Sequence, residues 1–138
     1  MMKKILMFVV MVMTLMACGS KTDLNEMLAG KTFTLDEKVV LEEQGEEVSF
    51  TLAFEDGRVS GRALNNFNAN YEIEGDKIEI SPMATTLMAG PEILMQREAE
   101  YLMDLTNAKT ISLEGNKLTI TTEEEKVLTF TQVEEVTE

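Results

Sequence analysis

The 138-residue sequence contains no histidine, no tryptophan and only one cysteine. Without histidine, the chain lacks an imidazole general base, a histidine metal ligand and a Ser-His-Asp triad. With one cysteine, it also lacks a Cys-x-x-Cys redox pair and a thiolate zinc site. We therefore predict a protein that is not an enzyme and that holds no cofactor or metal. The length allows one domain with a modest core.

Basic residues are scarce as well. The chain has 12 Lys and Arg against 25 Asp and Glu, which gives a formal net charge of −13. No basic cluster interrupts this acidic surface, and a negative chain repels phosphate backbones. We therefore predict that nucleic acid is not a partner.

The amino terminus has the pattern of a secretory signal. Lys3 and Lys4 precede an apolar run over residues 5–17, which is shorter than the roughly 20 residues that a membrane-spanning helix needs. The segment Leu15-Met16-Ala17-Cys18 resembles the bacterial lipobox, in which the cysteine becomes the acylated amino terminus. We predict a lipoprotein signal peptide over 1–17 and a lipidated tether over 18–24, with acyl chains such as palmitate on Cys18 holding the protein to the membrane.

The residue after the cysteine bears on localisation. It is Gly19, whereas an aspartate there would resemble the inner-membrane retention signal of Gram-negative lipoproteins. We therefore predict a protein of the cell envelope, at the outer membrane if the host is Gram-negative.

Short alternating segments joined by glycine-containing reversals predict three β-hairpins. The reversals are Asp56-Gly57, Gly75-Asp76 and Gly115-Asn116, and residues 48–54 form the first strand of the first hairpin. Two-residue loops would pair opposite charges beside each turn and apolar residues further in. The predicted pairs are Glu55 with Arg58, Glu74 with Lys77, Glu114 with Lys117, Ile73 with Ile78, Tyr71 with Ile80, Leu113 with Leu118 and Ile111 with Ile120.

Residues 91–105 change to the helical period and predict one amphipathic helix that begins at Pro91. Its apolar face would contain Leu94, Met95, Ala99, Tyr101, Leu102 and Leu105. Glu98 projects into the middle of this face. We expect it to reach the edge or to accept backbone N–H bonds, with a functional carboxylate as the alternative.

The hairpins and helix together predict an α+β fold: a mostly antiparallel β meander, as a barrel-like or strongly twisted sheet, with one packed α-helix.

The order of these motifs resembles that of the META/HslJ-like domain family of small secreted and lipoprotein domains. The similar segments are Leu28-Ala29-Gly30-Lys31-Thr32-Phe33 and the ranges 57–71, 80–91 and 98–105. The resemblance implies one such domain over 25–133, followed by a frayed acidic tail over 134–138. It also implies a role in envelope stress tolerance. Leu64 and Gly90 stand where the family often has cysteines, which implies that these two residues lie close together.

Two segments are candidate binding regions. Four asparagines surround Phe67 in residues 64–70, which we expect to form a structured loop between strands, with a polar recognition loop as the alternative. The apolar connection over 82–91 is expected to pack over one end of the sheet, or to form a partner surface if it is exposed. The candidate ligand or partner residues are Asn65, Asn66, Phe67, Met83, Met88 and Glu98.

Two metal-binding alternatives carry less weight than structural interpretations. Residues 42–47 could attract Ca²⁺, but they lack the alternating oxygen ligands of an EF-hand, so a solvated hairpin loop is favoured. Met83, Met88 and Met95 could offer thioethers to Cu(I), but methionine more often fills gaps in a core.

We therefore predict a non-catalytic cell-envelope lipoprotein that acts in protein interaction, with another envelope protein as partner, or in envelope stress tolerance. The alternative is a periplasmic binder of a small ligand or metal ion. An exposed apolar patch near residues 83–88 would favour the first. A deep pocket lined by Asn65, Asn66 and Glu98 would favour the second.

Overall fold

The structure is a computed structural model, and it describes residues 23–134. The predicted signal peptide, Cys18, the tether up to residue 22 and the tail from residue 135 lie outside the described residues. The helices are α1 (Leu24–Leu28) and α2 (Glu92–Thr106). The strands are β1 (Thr32–Leu35), β2 (Val39–Leu41), β3 (Glu46–Val48), β4 (Thr51–Glu55), β5 (Arg58–Arg62), β6 (Asn66–Glu74), β7 (Lys77–Ile80), β8 (Ala84–Thr85), β9 (Ala108–Glu114), β10 (Lys117–Thr122) and β11 (Val127–Gln132).

Eight strands form a closed antiparallel barrel. Their order around the barrel is β5-β4-β1-β11-β10-β9-β7-β6, and β6 pairs with β5 to close it. Strand β8 pairs with β6, while β2 and β3 form a separate two-stranded ribbon whose acidic reversal lies within 42–47, as predicted. The predicted α+β class, with antiparallel strands and one main helix, is confirmed.

All seven predicted cross-strand pairs of the three hairpins are present. Asp56 and Gly57 both have positive φ, 44° and 76°, as a type I′ turn requires. Gly75 and Gly115 have positive φ only at the first central position, which is the type II′ pattern. The charged pairs beside the turns face one another but, within residues 23–134, form no ion pairs; Lys117 binds Asp36 instead.

Alternation along the strands fills the barrel with apolar side chains. The fully buried large residues are Phe33, Phe54, Phe130, Leu28, Leu52, Ile78, Leu105, Ile111, Leu118, Ile120 and Val59. Burying each large side chain of this kind stabilises the fold by about 1.5–3 kcal/mol. A one-residue slip of any strand would turn its apolar set outward, so the core and the register fix each other.

Two strand predictions are corrected. The stretch 48–54 is interrupted, because β3 ends at Val48 and β4 begins at Thr51, with buried Phe50 between them. The asparagine-rich segment is a strand rather than a loop. It exposes Asn66, Asn68 and Asn70 on one face and buries Phe67, Ala69 and Tyr71 on the other. Pairing with β5 on one edge, and with β8 at Phe67 and Asn68 on the other, overrides the turn preference of asparagine.

The predicted helix is present, one residue later than expected, with Pro91 at its N-cap. Leu94, Tyr101 and Leu105 are buried on the barrel. Met95 and Ala99 are exposed, contrary to prediction, because the helix meets the barrel along a narrower stripe than its apolar face. Within the described residues, neither helix has the length and apolar character needed to cross a bilayer.

The two ends of the barrel differ. Helix α1 covers one end, where Gly30 donates to the Phe54 carbonyl and the Asn25 amide donates to the Ile73 carbonyl. Because neighbouring strands are antiparallel, the three tight reversals lie at this same end, which we name the turn end. Helix α2 covers the opposite end, where the Tyr101 ring packs against Phe50 and Phe130. We name this the helix end.

Candidate interaction surface at the helix end

A carboxylate and an amide hold α2 to the start of β6. Glu98 accepts from the Asn65 backbone N–H at 2.5 Å and from the Asn65 side-chain Nδ2 at 2.9 Å. Asn65 is only 5% exposed. Glu98 therefore lies on the inner side of the helix because a buried polar partner is present there, and it accepts a backbone N–H as predicted.

The same asparagine also fixes the connection that precedes α2. Its Oδ1 accepts from the Met88 backbone N–H at 2.6 Å and from the Thr86 hydroxyl at 3.0 Å. Thr86 and Asn66 exchange two further hydrogen bonds, at 3.0 and 3.1 Å. We call this set of contacts, made by Asn65, Asn66, Thr86, Met88 and Glu98, the Asn65 clamp.

The Asn65 clamp leaves apolar side chains in water. Leu87 is 95% exposed and Met88 is 51% exposed, although the backbone N–H groups on either side of Leu87 are hydrogen bonded: that of Thr86 donates to the Asn66 carbonyl and that of Met88 to the Asn65 Oδ1. The expectation that this connection packs over the sheet is therefore wrong for these two residues. Met83 does pack, partly buried, against the core. A residue on a fixed backbone has little backbone entropy to lose on meeting a partner.

The structure separates the six candidate residues into two groups. Asn65, Asn66, Met88 and Glu98 meet in the Asn65 clamp. Phe67 and Met83 instead belong to the core: Phe67 is 2% exposed and contacts the Tyr101 ring, and Met83 is partly buried against the core. Within residues 23–134, no buried side-chain nitrogen or oxygen lacks a hydrogen-bond partner. Thr86 was missed, since no sequence signal connects it to Asn65.

Leu64 and Gly90 lie in contact. A Cβ atom on Gly90 would be 2.7 Å from the Leu64 Cδ1 atom. This confirms the proximity implied by the family resemblance. It also explains why a glycine faces Leu64 here, since any larger residue would force the leucine to move.

The opposite flank of α2 is charged. Arg97 binds Glu37 at 3.2 Å and Glu100 at 3.3 Å, and Lys126 binds Asp104. The hydrogen bond from Lys126 to Asp104 raises the pKa of that lysine. Beneath these pairs is a cavity of about 30 Å³, which has room for about one water molecule.

A larger open groove lies between the β2–β3 ribbon and the start of α2. Its volume is about 570 Å³. Its lining residues are Val40, Leu41, Glu42, Glu43, Gln44, Pro91, Glu92 and Ile93. We call it the ribbon groove. The described part of the chain contains no group of three or more acidic, cysteine or histidine side chains placed to hold a metal ion.

A closed eight-stranded antiparallel barrel, covered by a short helix at one end and a longer one at the other, defines a small α+β barrel domain. The family model for the META domain matches residues 26–135. The chain therefore belongs to the META domain family, as its motifs indicated.

Solved structures share this fold. An NMR structure of a protein from Burkholderia xenovorans superimposes with a TM-score of 0.63 at 18% identity, covering 85% of this chain and 94% of that one. The crystal structure of a DUF4847 family protein from Bacteroides vulgatus gives a TM-score of 0.57 at 15% identity, covering 79% and 96%. A comparison with curated proteins gave no match. At these identities the likeness concerns the fold alone.

Proposed function

We propose that this META-domain protein is a non-catalytic lipoprotein of the cell envelope, anchored at the turn end and binding another envelope protein at the helix end. The observation that carries the proposal is the placement of two features at opposite ends of one barrel. The described chain starts at the turn end with Asp23, whose side chain caps α1. The exposed Leu87 and Met88 lie at the helix end.

The sequence distance between the lipobox and the barrel supports this arrangement. Cys18 precedes Asp23 by five residues, which span at most about 18 Å when fully extended. An acylated Cys18 would therefore hold the turn end near the bilayer and direct the helix end away from it. Several acyl chains would make this anchoring stable, because each buried CH₂ contributes about 0.8 kcal/mol.

Binding of another envelope protein is supported by the apolar side chains at the helix end. Leu87 projects almost fully into water from a backbone that the Asn65 clamp holds in place. A role in envelope stress tolerance is supported by the family resemblance. The alternative, a binder of a small ligand or metal ion, has weaker support because the polar atoms of Asn65 and Glu98 already bind each other and neighbouring groups.

The anchor is tested by fractionating cells that express the full chain or its Cys18→Ser variant, after feeding an alkyne-tagged fatty acid. We expect the parent chain to be labelled and to stay with membranes after a carbonate wash, as should the matched control Ser20→Ala. The Cys18→Ser chain should be unlabelled and released. Equal membrane retention of the Cys18→Ser chain would contradict the proposal.

The interaction surface is tested with a photo-crosslinking amino acid placed at position 87 or, as a control, at position 127. Val127 is a valine at 56% exposure that lies outside the Leu87 region. We expect a discrete crosslinked species in intact cells from position 87 and not from position 127. Absence of a product at 87, or the same product at both positions, would contradict an interaction surface at Leu87.

A further inference from the structure

The ribbon groove has an apolar floor that remains open to water. Val40 is 52% exposed and Ile93 is 43% exposed, although one belongs to the ribbon and the other to the first turn of α2. Pro91 and Leu41 continue the lining between them. Apolar residues from two separate elements thus converge on one groove, unlike a single exposed hydrophobic residue, which needs no explanation.

Carboxylates surround this floor. Glu42 and Glu43 stand on the ribbon side and Glu92 on the helix side, where the helix dipole favours a negative charge. In residues 23–134, none of the three forms an ion pair. The neighbouring cations are already occupied, because Lys38 binds Glu47 at 3.3 Å and Arg97 binds Glu37 and Glu100.

This charge pattern narrows the choice of occupant. A second copy would bring another chain of net charge −13 against an acidic rim, and an anionic lipid surface would be repelled in the same way. A single metal ion is disfavoured, because the carboxylates of the described chain form no cluster that could surround one. Carboxylates spread along both sides of an apolar floor instead match positive charges spread along a polypeptide.

We propose that the ribbon groove binds a segment of a partner protein in which an apolar side chain is flanked by lysine or arginine. The apolar side chain lies against Val40 and Ile93, and the cations face Glu42, Glu43 and Glu92. This deepens the proposed function and rests on it for the idea of a protein partner. A groove of about 570 Å³ is large enough for one or two side chains of such a segment.

The test is an NMR titration of the full mature chain with three short synthetic peptides: lysine alternating with leucine, lysine alternating with serine, and glutamate alternating with leucine. We expect the lysine–leucine peptide to cause saturable shifts in the backbone amides of residues 40–44 and 92–93. It should bind at least about tenfold more tightly than the lysine–serine peptide, a difference that corresponds to about 1.4 kcal/mol. The glutamate–leucine peptide should cause no shift.

Matched variants separate the groove from general charge attraction. Val40→Ser and Ile93→Ser should each weaken binding of the lysine–leucine peptide by up to about tenfold. The double variant should weaken it by more than either single variant does. The control Val127→Ser changes an equally exposed valine outside the groove and should leave binding unchanged. Replacing Glu42, Glu43 and Glu92 with glutamine should remove most of the salt dependence of binding. Unchanged thermal unfolding would show that the variants are folded.

Several outcomes would overturn the proposal. These are equal binding of the lysine–serine peptide, shifts spread over every acidic face, an equal loss on Val127→Ser, the same shifts with Ca²⁺ alone, or concentration-dependent shifts that reveal a second copy in the groove. Because the titration does not depend on acylation, its failure is distinguishable from failure of the anchor, which the Cys18→Ser fractionation measures separately.

Discussion

The two ends of the barrel are built from contacts of different range. At the turn end, each reversal joins residues that are neighbours in sequence, as in the pair Glu74 and Lys77. At the helix end, the fixing contacts join distant segments: Asn65 with Glu98, and the Tyr101 hydroxyl with the Thr51 carbonyl at 3.0 Å. Local sequence therefore determines the three reversals of the turn end, whereas these contacts at the helix end join segments that are far apart in sequence.

The largest effect is expected from Tyr101→Ala at the helix end. Tyr101 is 3% exposed and contacts the rings of Phe50 and Phe67 at 5.2 and 5.8 Å. Its loss should lower the free energy of unfolding by about 3–5 kcal/mol, measured by urea denaturation. Leu102→Ala is the control. It should cost clearly less than the roughly 2–5 kcal/mol of a fully buried leucine, because Leu102 is only half-buried. Similar losses of unfolding free energy for Tyr101→Ala and Leu102→Ala would contradict the assignment of Tyr101, rather than Leu102, to the buried face of α2.

Burial also governs the chemistry of Tyr101. It raises the pKa of the phenol, so the hydroxyl stays protonated and continues to donate to Thr51 in the ordinary pH range. The phenol therefore acts as a fixed link between α2 and β4.

The next effect is expected from a disulfide between positions 64 and 90. In a Cys18→Ser background, the Leu64→Cys/Gly90→Cys chain should oxidise readily because the two positions are in contact. The free energy of unfolding of the oxidised form should be about 2–4 kcal/mol higher than that of the reduced form. Free thiol measurement and urea denaturation report the two results. Persistence of both thiols under mild oxidant would contradict the packing described.

Removal of the Asn65 clamp should have an intermediate effect. Asn65→Ala leaves the Glu98 carboxylate without its side-chain donor and should cost about 1.5–3 kcal/mol. It should also speed hydrogen exchange at the Met88 amide, because that amide donates to the Asn65 Oδ1 in the parent chain. Asn66→Ala is the matched control. Its side chain is exposed, so its effect should stay within about 0.5 kcal/mol. If hydrogen exchange at the Met88 amide were unchanged after Asn65→Ala, the Asn65 side chain would not be what fixes the connection before α2 at the helix end.

The sequence predicts the local features of the fold better than the contacts between distant segments. The hairpin registers follow from two-residue reversals and period-2 alternation, and every predicted pair was present. The asparagine-rich strand could not be recognised, because residue preferences there favour turns and only pairing with β5 and β8 makes it extended. Glu98 stood out as a carboxylate on an apolar face, but its partner lies 33 residues away and has no local signal.

A smaller effect is expected at the turn end from Gly57→Ala. Gly57 has φ of 76°, and an L side chain in this left-handed region costs about 1–2 kcal/mol. Gly57→Asn should recover part of the loss, because asparagine tolerates the left-handed region better. Urea denaturation checks both. If Gly57→Ala lowered the free energy of unfolding by more than Asn65→Ala does, the larger contribution would come from the turn end, contrary to the prediction.

The smallest effect concerns Asp36, which follows β1 and binds Lys117, the first residue of β10. Its pKa is lowered by the hydrogen bond from Thr131 and then by Lys117 at 2.9 Å. A lowered pKa contributes stability that is full above the ordinary value of 3.8 and is lost as pH falls below it. Asp36→Asn should therefore lower the free energy of unfolding near neutrality, where the carboxylate is charged, and the difference from the parent chain should disappear as the pH falls below 3.8, as measured by urea denaturation across this pH range. Since the group is largely exposed, the change should be slight.

The most direct test of the account measures which end of the acylated protein lies nearer the bilayer. The full mature chain, acylated on Cys18 and bound to lipid nanodiscs, would be examined by NMR with and without spin-labelled headgroups. We predict strong broadening of the amides at the three reversals, 56–57, 75–76 and 115–116, and little at residues 40–44 and 87–93. Equal or stronger broadening at residues 87–93 would contradict the assignment of the turn end to the membrane and the helix end to a partner.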